Sequence, residues 1–330
     1  MRVLQIGLGS MGKRRIRNLM ALGIRDVIGF DLRKDRRLEA FEKYGVKTSG
    51  VLTGSLLKDR DVYIISTPPD QHNKYMKLAL KYRKPAFVEA SVIRDGLLGI
   101  DREASQKKVR IVPSATMRFH PAVKIIKKIV NSNRYGKVCN FSYHMGQYLP
   151  DWHPWEDIKK FYVSKRKTSA AREMVPFELT WIVDIIGMPN EVSAFKGKTL
   201  NLGVDIDDTY VFAIKFQSGL GIFMVDVVAR FATRSFILNL EKAQIRWNWE
   251  EKQVKIYQTS TKKWKAFSYG SEHVAGYNKN IAENMYVEEL RAFFKELKGG
   301  KSYPNTLRDD AAILGILELG EHCVMGKKIY

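Results

Sequence analysis

Residues 7–12 read Gly7-Leu8-Gly9-Ser10-Met11-Gly12, directly after the apolar run Val3-Leu4-Gln5-Ile6 and directly before a helical pattern carrying Ile16, Leu19 and Met20. A strand that opens through three spaced glycines into a helix serves few folds. The first glycine permits the tight turn, the second lets backbone approach a ligand without a Cβ in the way, and the third allows the helix to pack close on the strand. The helix then offers its positive end and unpaired N–H groups to a phosphate. Gly7, Gly9, Ser10, Met11 and Gly12 are thus candidate contacts to the pyrophosphate of a dinucleotide.

The run Val27-Ile28-Gly29-Phe30 ends in Asp31, 19 residues after Gly12, where an acidic side chain accepts ribose hydroxyls in this fold. That spacing favours NAD. Arg33, two residues on, supplies the alternative, a pairing with the 2′-phosphate of NADP; a turn-capping role for Asp31 is the bland reading. A further cofactor-facing segment follows the apolar strand Val62-Tyr63-Ile64-Ile65: Thr67, Pro68 and then His72, the last equally suited to capping a helix.

Periodicity places the glycine loop in a larger frame. Over residues 1–117, β-branched runs at 2–6, 27–31, 61–66, 85–89 and 109–113 alternate with helical patterns near 11–22, 34–44, 71–82 and 94–107. This predicts an α/β domain, a Rossmann doubly wound parallel sheet. From 118 to 330 the texture changes. A helix at about 120–131, a strand at 137–147, an irregular segment at 148–168 and a helix at about 173–186 precede runs at 190–198, 207–217, 220–230, 235–240, 243–249 and 252–257; helices near 282–297 and 307–325 close the chain. The expectation is a second, α+β domain with an open, mostly antiparallel sheet, serving substrate binding and oligomerisation.

Composition narrows the partners. The formal charge of +21 on 330 residues comes from scattered Lys/Arg clusters without a nucleic-acid motif around them, which fits a solvated surface or an anionic substrate better than nucleic acid. Cys139 and Cys323 form neither a CxxC pair nor a Cys/His cluster, so no disulfide framework and no metal is expected. No apolar run reaches the roughly 18 residues a membrane span needs, and the N-terminal segment is unlike a signal peptide, so a cytoplasmic protein is expected.

Several segments together resemble the Gfo/Idh/MocA family of glucose-fructose oxidoreductase and inositol dehydrogenase: the glycine loop, Thr67-Pro68-Pro69 with His72, Phe87-Val88-Glu89, Arg118-Phe119-His120-Pro121, Gly136-Lys137-Val138, Asp208, and Tyr303-Pro304-Asn305. The resemblance covers nearly the whole chain. It implies an NAD(P)-dependent oxidoreductase acting on a hydroxyl or keto carbon of a sugar or nucleotide-sugar, with the substrate between the two domains, Glu89 beside the cofactor, and a homodimer or homotetramer formed through the C-terminal sheet. The segment Tyr148-Leu149-Pro150-Asp151-Trp152-His153-Pro154-Trp155-Glu156-Asp157 is similar to a subgroup handling sugar precursors of surface polysaccharides.

Two departures alter the chemistry that the resemblance implies. Where these enzymes carry Glu-Lys-Pro, this chain reads Glu89-Ala90-Ser91, and alanine cannot carry a proton to or from the reacting oxygen. Lys84 precedes the strand and belongs to its other end. On the later helix, Arg172-Glu173-Met174-Val175-Pro176-Phe177-Glu178 lacks the family's histidine in either register. The candidates left for acid–base work are Glu173, Tyr148, His153 and Glu178; for substrate binding they are Arg118, His120, Trp155 and Arg172. Each has a structural alternative: His120 as the cap of the helix at Pro121, Glu178 as the partner of a base, the tryptophans as loop anchors. The function readings that remain beside the oxidoreductase are an NAD-dependent lyase or glycosidase without net redox, and an inactive cofactor-binding protein of the same fold.

Overall fold

The structure, a computed structural model, describes residues 1–152, 154, 157–270 and 283–322. The chain forms two compact units, Met1–Thr116 with Asn284–Ala312, and Met117–Glu283 with the segment from Ile313 onward. In the first unit, β1 (Val3–Ile6), β2 (Val27–Phe30), β3 (Lys47–Ser49), β4 (Val62–Ile65), β5 (Ala86–Val88) and β6 (Ile111–Pro113) form a parallel sheet in the order β3-β2-β1-β4-β5-β6. Helices α1 (Ser10–Ala21), α2 (Lys34–Tyr44), α3 (Gly54–Asp59), α4 (His72–Lys81) and α5 (Leu97–Lys107) connect the strands. Every residue of β1, β4 and β5 is buried, as expected of strands covered on both faces. The order reverses beside β1, and the carboxyl ends of β1 and β4 flank that switch point, where ligands bind in such sheets. The sequence reading omits β3 and α3, whose three and six residues are too short to show a period.

The second unit opens with α6 (Pro121–Asn131), which has proline at its first position and His120 as its cap: Nδ1 accepts the Ala122 N–H at 3.2 Å. Then follow β7 (Val138–Tyr148), short 3₁₀ turns between 149 and 168, and α7 (Ala170–Ile186). Strands β8 (Glu191–Gly197), β9 (Thr209–Lys215), β10 (Leu220–Asp226), β11 (Val228–Leu240), β12 (Ala243–Asn248), β13 (Gln253–Gln258) and β14 (Lys263–Ser268) complete an eight-stranded sheet ordered β14-β13-β12-β11-β7-β10-β9-β8. Its pairs are antiparallel except β10 with β7. One face is aromatic and buried: Trp181 of α7 packs edge-on against Phe236 and Trp247, with ring centroids 5.1 and 5.9 Å apart. The other face leaves Phe195, Leu220 and Ile222 exposed.

The run expected as one strand over 220–230 is broken. Asp226 Oδ1 accepts the N–H groups of Val228 and Ala229 and ends β10, and β11 begins on the far side of β7. β14 escaped the sequence reading because its residues are mostly exposed and alternate weakly. Two helices close the described chain, α8 (Glu283–Leu297) and α9 (Leu307–His322). Asn284–Ala312 returns to the first unit, where Phe293 lies 5.8 Å from the Phe87 ring of β5, so a division into 1–117 and 118–330 leaves out this return.

Candidate functional site

The turn after β1 is built for close approach. Gly7 takes φ +90, a conformation L side chains rarely adopt, and a Cβ there would collide with the Ser66 carbonyl at the end of β4. A Cβ on Gly12 would collide with the Gly7 carbonyl, so helix and strand meet backbone to backbone. Gly9 caps α1 without any side-chain bond, and Ser10 and Met11 fill the helix's first turn, which has no acidic residue. The result is a cradle of bare N–H groups at a positive helix end, which fits a pyrophosphate.

Asp31 stands at the end of β2. Its Oδ2 accepts the Leu8 N–H at 2.8 Å and its Oδ1 the Arg33 N–H at 2.9 Å, so it fastens the glycine loop and keeps further acceptor capacity on both oxygens. The Arg33 side chain is half exposed and pairs with Asp35, whose carboxyl it holds at a pKa of about 2. Arg36 also lies close to the loop: its Nη1 is 3.9 Å from Asp31 Oδ2 and 3.3 Å from where a Cβ on Gly9 would stand.

Under the strand ends lies a charge cluster that no local pattern announces. Arg15, fully buried, donates Nε and Nη2 to the two oxygens of Glu89 at 2.7 and 2.8 Å, and its Nη1 lies 2.9 Å from Glu289 of α8. Burial works against the guanidinium charge, but Glu89 and Glu289 outweigh it and raise its pKa. Glu89 Oε1 also accepts the Ser66 hydroxyl at 2.9 Å; Glu289 accepts the Ser114 and Thr116 hydroxyls, the Ala115 N–H and the Tyr303 hydroxyl. The cluster ties together the carboxyl ends of β4, β5 and β6. Glu89 therefore acts on this region as a positioning group rather than as an unpaired acid.

Other polar atoms nearby have no protein partner. The Thr67 hydroxyl after β4, the Ser91 hydroxyl after β5, and His72 Nδ1 are buried and unbonded. The other nitrogen of His72 lies 2.9 Å from the Thr67 carbonyl, which only accepts, so Nε2 carries the hydrogen and Nδ1 is a bare acceptor. Burial lowers the His72 pKa and keeps the ring neutral. Pro68 is the cap of a 3₁₀ turn over Pro69–Gln71 that leads into α4. Orphaned polar atoms at the carboxyl ends of these strands match the fold's ligand crevice, so these residues fit a dinucleotide. Lys84 sits at the opposite end of β5 and donates to the Lys58 carbonyl.

In the second unit, the candidates separate into committed and open groups. Glu178 is fully buried and accepts from the Tyr143 hydroxyl at 2.6 Å, from Trp181 Nε1 at 2.9 Å and from Arg234 Nη2 at 2.5 Å. Arg172 forms a two-point pair with Glu321 at 2.8 and 3.0 Å, and Arg118 donates to the Thr180 carbonyl at 3.0 Å. His120 is enclosed by Trp247 and Tyr269, and burial, with Arg234 and Lys124 adding to it, lowers its pKa to about 3. Glu173 is half-buried in the first turn of α7 and accepts the Tyr162 hydroxyl at 2.9 Å. Tyr148 ends β7 with the Arg230 guanidinium 3.9 Å above its ring. His153 and Trp155 lie outside the described residues. Tyr162 was missed because nothing in its 3₁₀ turn marks it until α7 presents Glu173. Among the described residues no three His, Cys, Asp or Glu side chains converge as a metal site, and none of their helices is long and apolar enough to cross a membrane.

Residues 123–246 match the model of the GFO/IDH/MocA C-terminal domain. The chain carries a GFO/IDH/MocA domain. Ahead of that domain, residues 2–93 match the NADP oxidoreductase, coenzyme F420-dependent, family. No curated protein sequence matches the chain. Among solved structures, an oxidoreductase from Agrobacterium radiobacter in complex with NAD+, L-tartaric acid and magnesium superposes with a TM-score of 0.85 at 12% identity, covering 98% of this chain and 96% of that one. A levoglucosan dehydrogenase in complex with NADH and levoglucosan gives 0.78 at 17% identity over 96% and 95%. UDP-N-acetylglucosamine 3-dehydrogenase from Acidithiobacillus ferrooxidans gives 0.79 at 14% identity over 98% and 97%. At such identities the likeness to these structures is one of fold, shared by the GFO/IDH/MocA domain and the Rossmann unit ahead of it.

Proposed function

We propose that this protein is an NAD(P)-dependent oxidoreductase acting on a hydroxyl or keto carbon of a sugar or nucleotide-sugar. The observation that carries the reading is the glycine cradle beside strand-end polar atoms that the protein leaves unbonded. The levoglucosan and UDP-N-acetylglucosamine named for the similar structures support the substrate class, and a charge of +21 suits an anionic nucleotide-sugar. A bound nicotinamide cofactor would supply the hydride acceptor or donor. The protein would hold its pyrophosphate on the N–H groups of residues 9–12, place its adenosine end at Asp31, and offer Thr67, Ser91 and His72 at the crevice.

Ala90 cannot move a proton, so that task falls elsewhere. Glu173 with Tyr162 is the candidate pair, since the carboxylate accepts a hydrogen bond from the phenol at 2.9 Å and a carboxylate so placed can take or return a proton. Tyr148, steadied by Arg230, is the second candidate. Glu178, whose carboxylate accepts from three protein donors, is assigned to the scaffold of this unit.

The protein is proposed to assemble as a homodimer or homotetramer through the open face of its large sheet, where Phe195, Leu220 and Ile222 are 67%, 62% and 56% exposed. The exposed free thiol of Cys139 suits a reducing compartment and supports a cytoplasmic location.

The test is a titration with NAD and NADP followed by a sugar-nucleotide screen for change in cofactor redox state. Wild-type protein should bind a dinucleotide, and Gly12→Val should not. Glu173→Gln and Tyr162→Phe should lose turnover while keeping dinucleotide affinity. The second reading is chemistry without net redox, which product formed without reduced cofactor accumulating would select. Failure of wild-type protein to bind either dinucleotide sinks the proposal.

A further inference from the structure

We infer that Arg36 makes this chain select a nucleotide carrying a 2′-phosphate, so that NADP binds more tightly than NAD. The inference rests on the cofactor reading above and reverses the preference that Asp31 alone suggests.

Asp31 is the residue that would accept the ribose hydroxyls of NAD, and its carboxylate also serves the protein. One oxygen holds the Leu8 N–H, the other the Arg33 N–H, and the Arg36 guanidinium lies 3.9 Å from the former. Two backbone dipoles and a cation thereby offset the negative charge that would otherwise repel a phosphate. Around it the cations outnumber the acids: Arg33, Lys34, Arg36 and Arg37 accompany Asp31 and Asp35 between residues 31 and 37.

These cations are not equivalent. Arg33 reaches outward to Asp35. Arg37 donates Nη1 to the carbonyls of Asp31 and Leu32 and stiffens the turn. Arg36 alone among them lies against the glycine loop, with Nη1 3.3 Å from a Cβ position on Gly9, and its side chain is 25% exposed. A guanidinium keeps its charge at every working pH, presents a fork of donors that fits a phosphate, and sits here at the strand end that receives the adenosine ribose.

The experiment measures dissociation constants of the purified full chain for NAD, NADP and 2′,5′-ADP by calorimetry, for wild type, Arg36→Ala and Arg36→Lys. NADP should bind wild type more tightly than NAD, and 2′,5′-ADP should compete with it. Arg36→Ala should weaken NADP about 10- to 100-fold, the range of a charge-assisted hydrogen bond. Arg36→Lys should fall between. NAD binding to Arg36→Ala should stay near the wild-type value, which also shows that the variant is folded. Equal wild-type affinities for the two dinucleotides, or a parallel loss of both in Arg36→Ala, would overturn the inference and leave the cofactor reading standing. Wild-type protein that binds neither dinucleotide would remove both.

Discussion

Each unit buries an ionic cluster, and the two clusters do different work. In the second unit, Tyr143, Trp181 and Arg234 all donate to Glu178, and the group closes on itself between α7 and the sheet. In the first unit, Arg15 joins Glu89 to Glu289 beneath the ends of β4, β5 and β6, and polar atoms on those same ends, at Thr67 and Ser91, have no partner. A buried charge is thus a poor sign of chemistry when the protein satisfies it completely. Unused hydrogen-bonding capacity next to a rigid cluster is the better sign, because the fold bears a desolvation cost there that a ligand can recover.

The sharpest way to break the comparison is to open the closed cluster. Glu178→Ala leaves Arg234 buried against an empty site, which should destabilise the protein by about 3–5 kcal/mol in urea unfolding. Replacing the set with apolar residues, Glu178→Leu with Arg234→Met and Tyr143→Phe, should recover most of that loss, since two buried ions and their desolvation disappear together. Folded Glu178→Ala should keep its dinucleotide affinity. A variant with wild-type stability and no turnover would instead return Glu178 to the chemistry.

A smaller effect follows from the neighbour of that cluster. Burial, with Arg234 and Lys124, holds the His120 pKa at about 3, whereas an unfolded histidine titrates near 6.5. Between these values the unfolded chain binds a proton that the native chain refuses. Stability therefore falls as pH drops below about 6.5, by up to roughly 1.4 kcal/mol per pH unit, and is unaffected by this group above it. His120→Asn retains a capping acceptor and removes the titration. Urea midpoints from pH 7 to pH 4 should fall less steeply in this variant than in wild type; a residual slope remains, because the His72 pKa is lowered in the same direction. Parallel slopes would show that His120 takes up its proton without unfolding.

What the sequence reveals and what it conceals follow the same division. The glycine loop, Asp31 and the parallel sheet could be read because their signals lie within about 30 residues of chain, as a βαβ unit requires. The six-stranded unit was visible even though β3 was not, since flanking elements carry the period. Arg15 and Glu289 were not visible as a pair: 274 residues separate them, and neither belongs to a local pattern. The return of Asn284–Ala312 to the first unit was hidden for the same reason, an apolar helix stripe being silent about which core it enters. Glu178 looked reactive because helix spacing alone supplies its face; two of the three donors that quench it stand on β7 and β11, 35 and 56 residues away. Arg36 was overlooked beside Arg33, which is nearer to Asp31 in sequence but turned outward to Asp35.

The finest test concerns the unbonded hydroxyls themselves. Thr67→Val and Ser91→Ala each delete a buried polar atom that makes no bond within the protein, so neither should lower stability, and relief of desolvation can raise it slightly. If those atoms wait for the cofactor or its substrate, each deletion should instead weaken ligand binding by about 0.5–1.5 kcal/mol, roughly 2- to 10-fold in dissociation constant. Unfolding and titration on the same preparations separate the two roles. A loss of stability with unchanged affinity would make the hydroxyls part of the scaffold, and the first unit's strand ends would then be as closed as the cluster around Glu178.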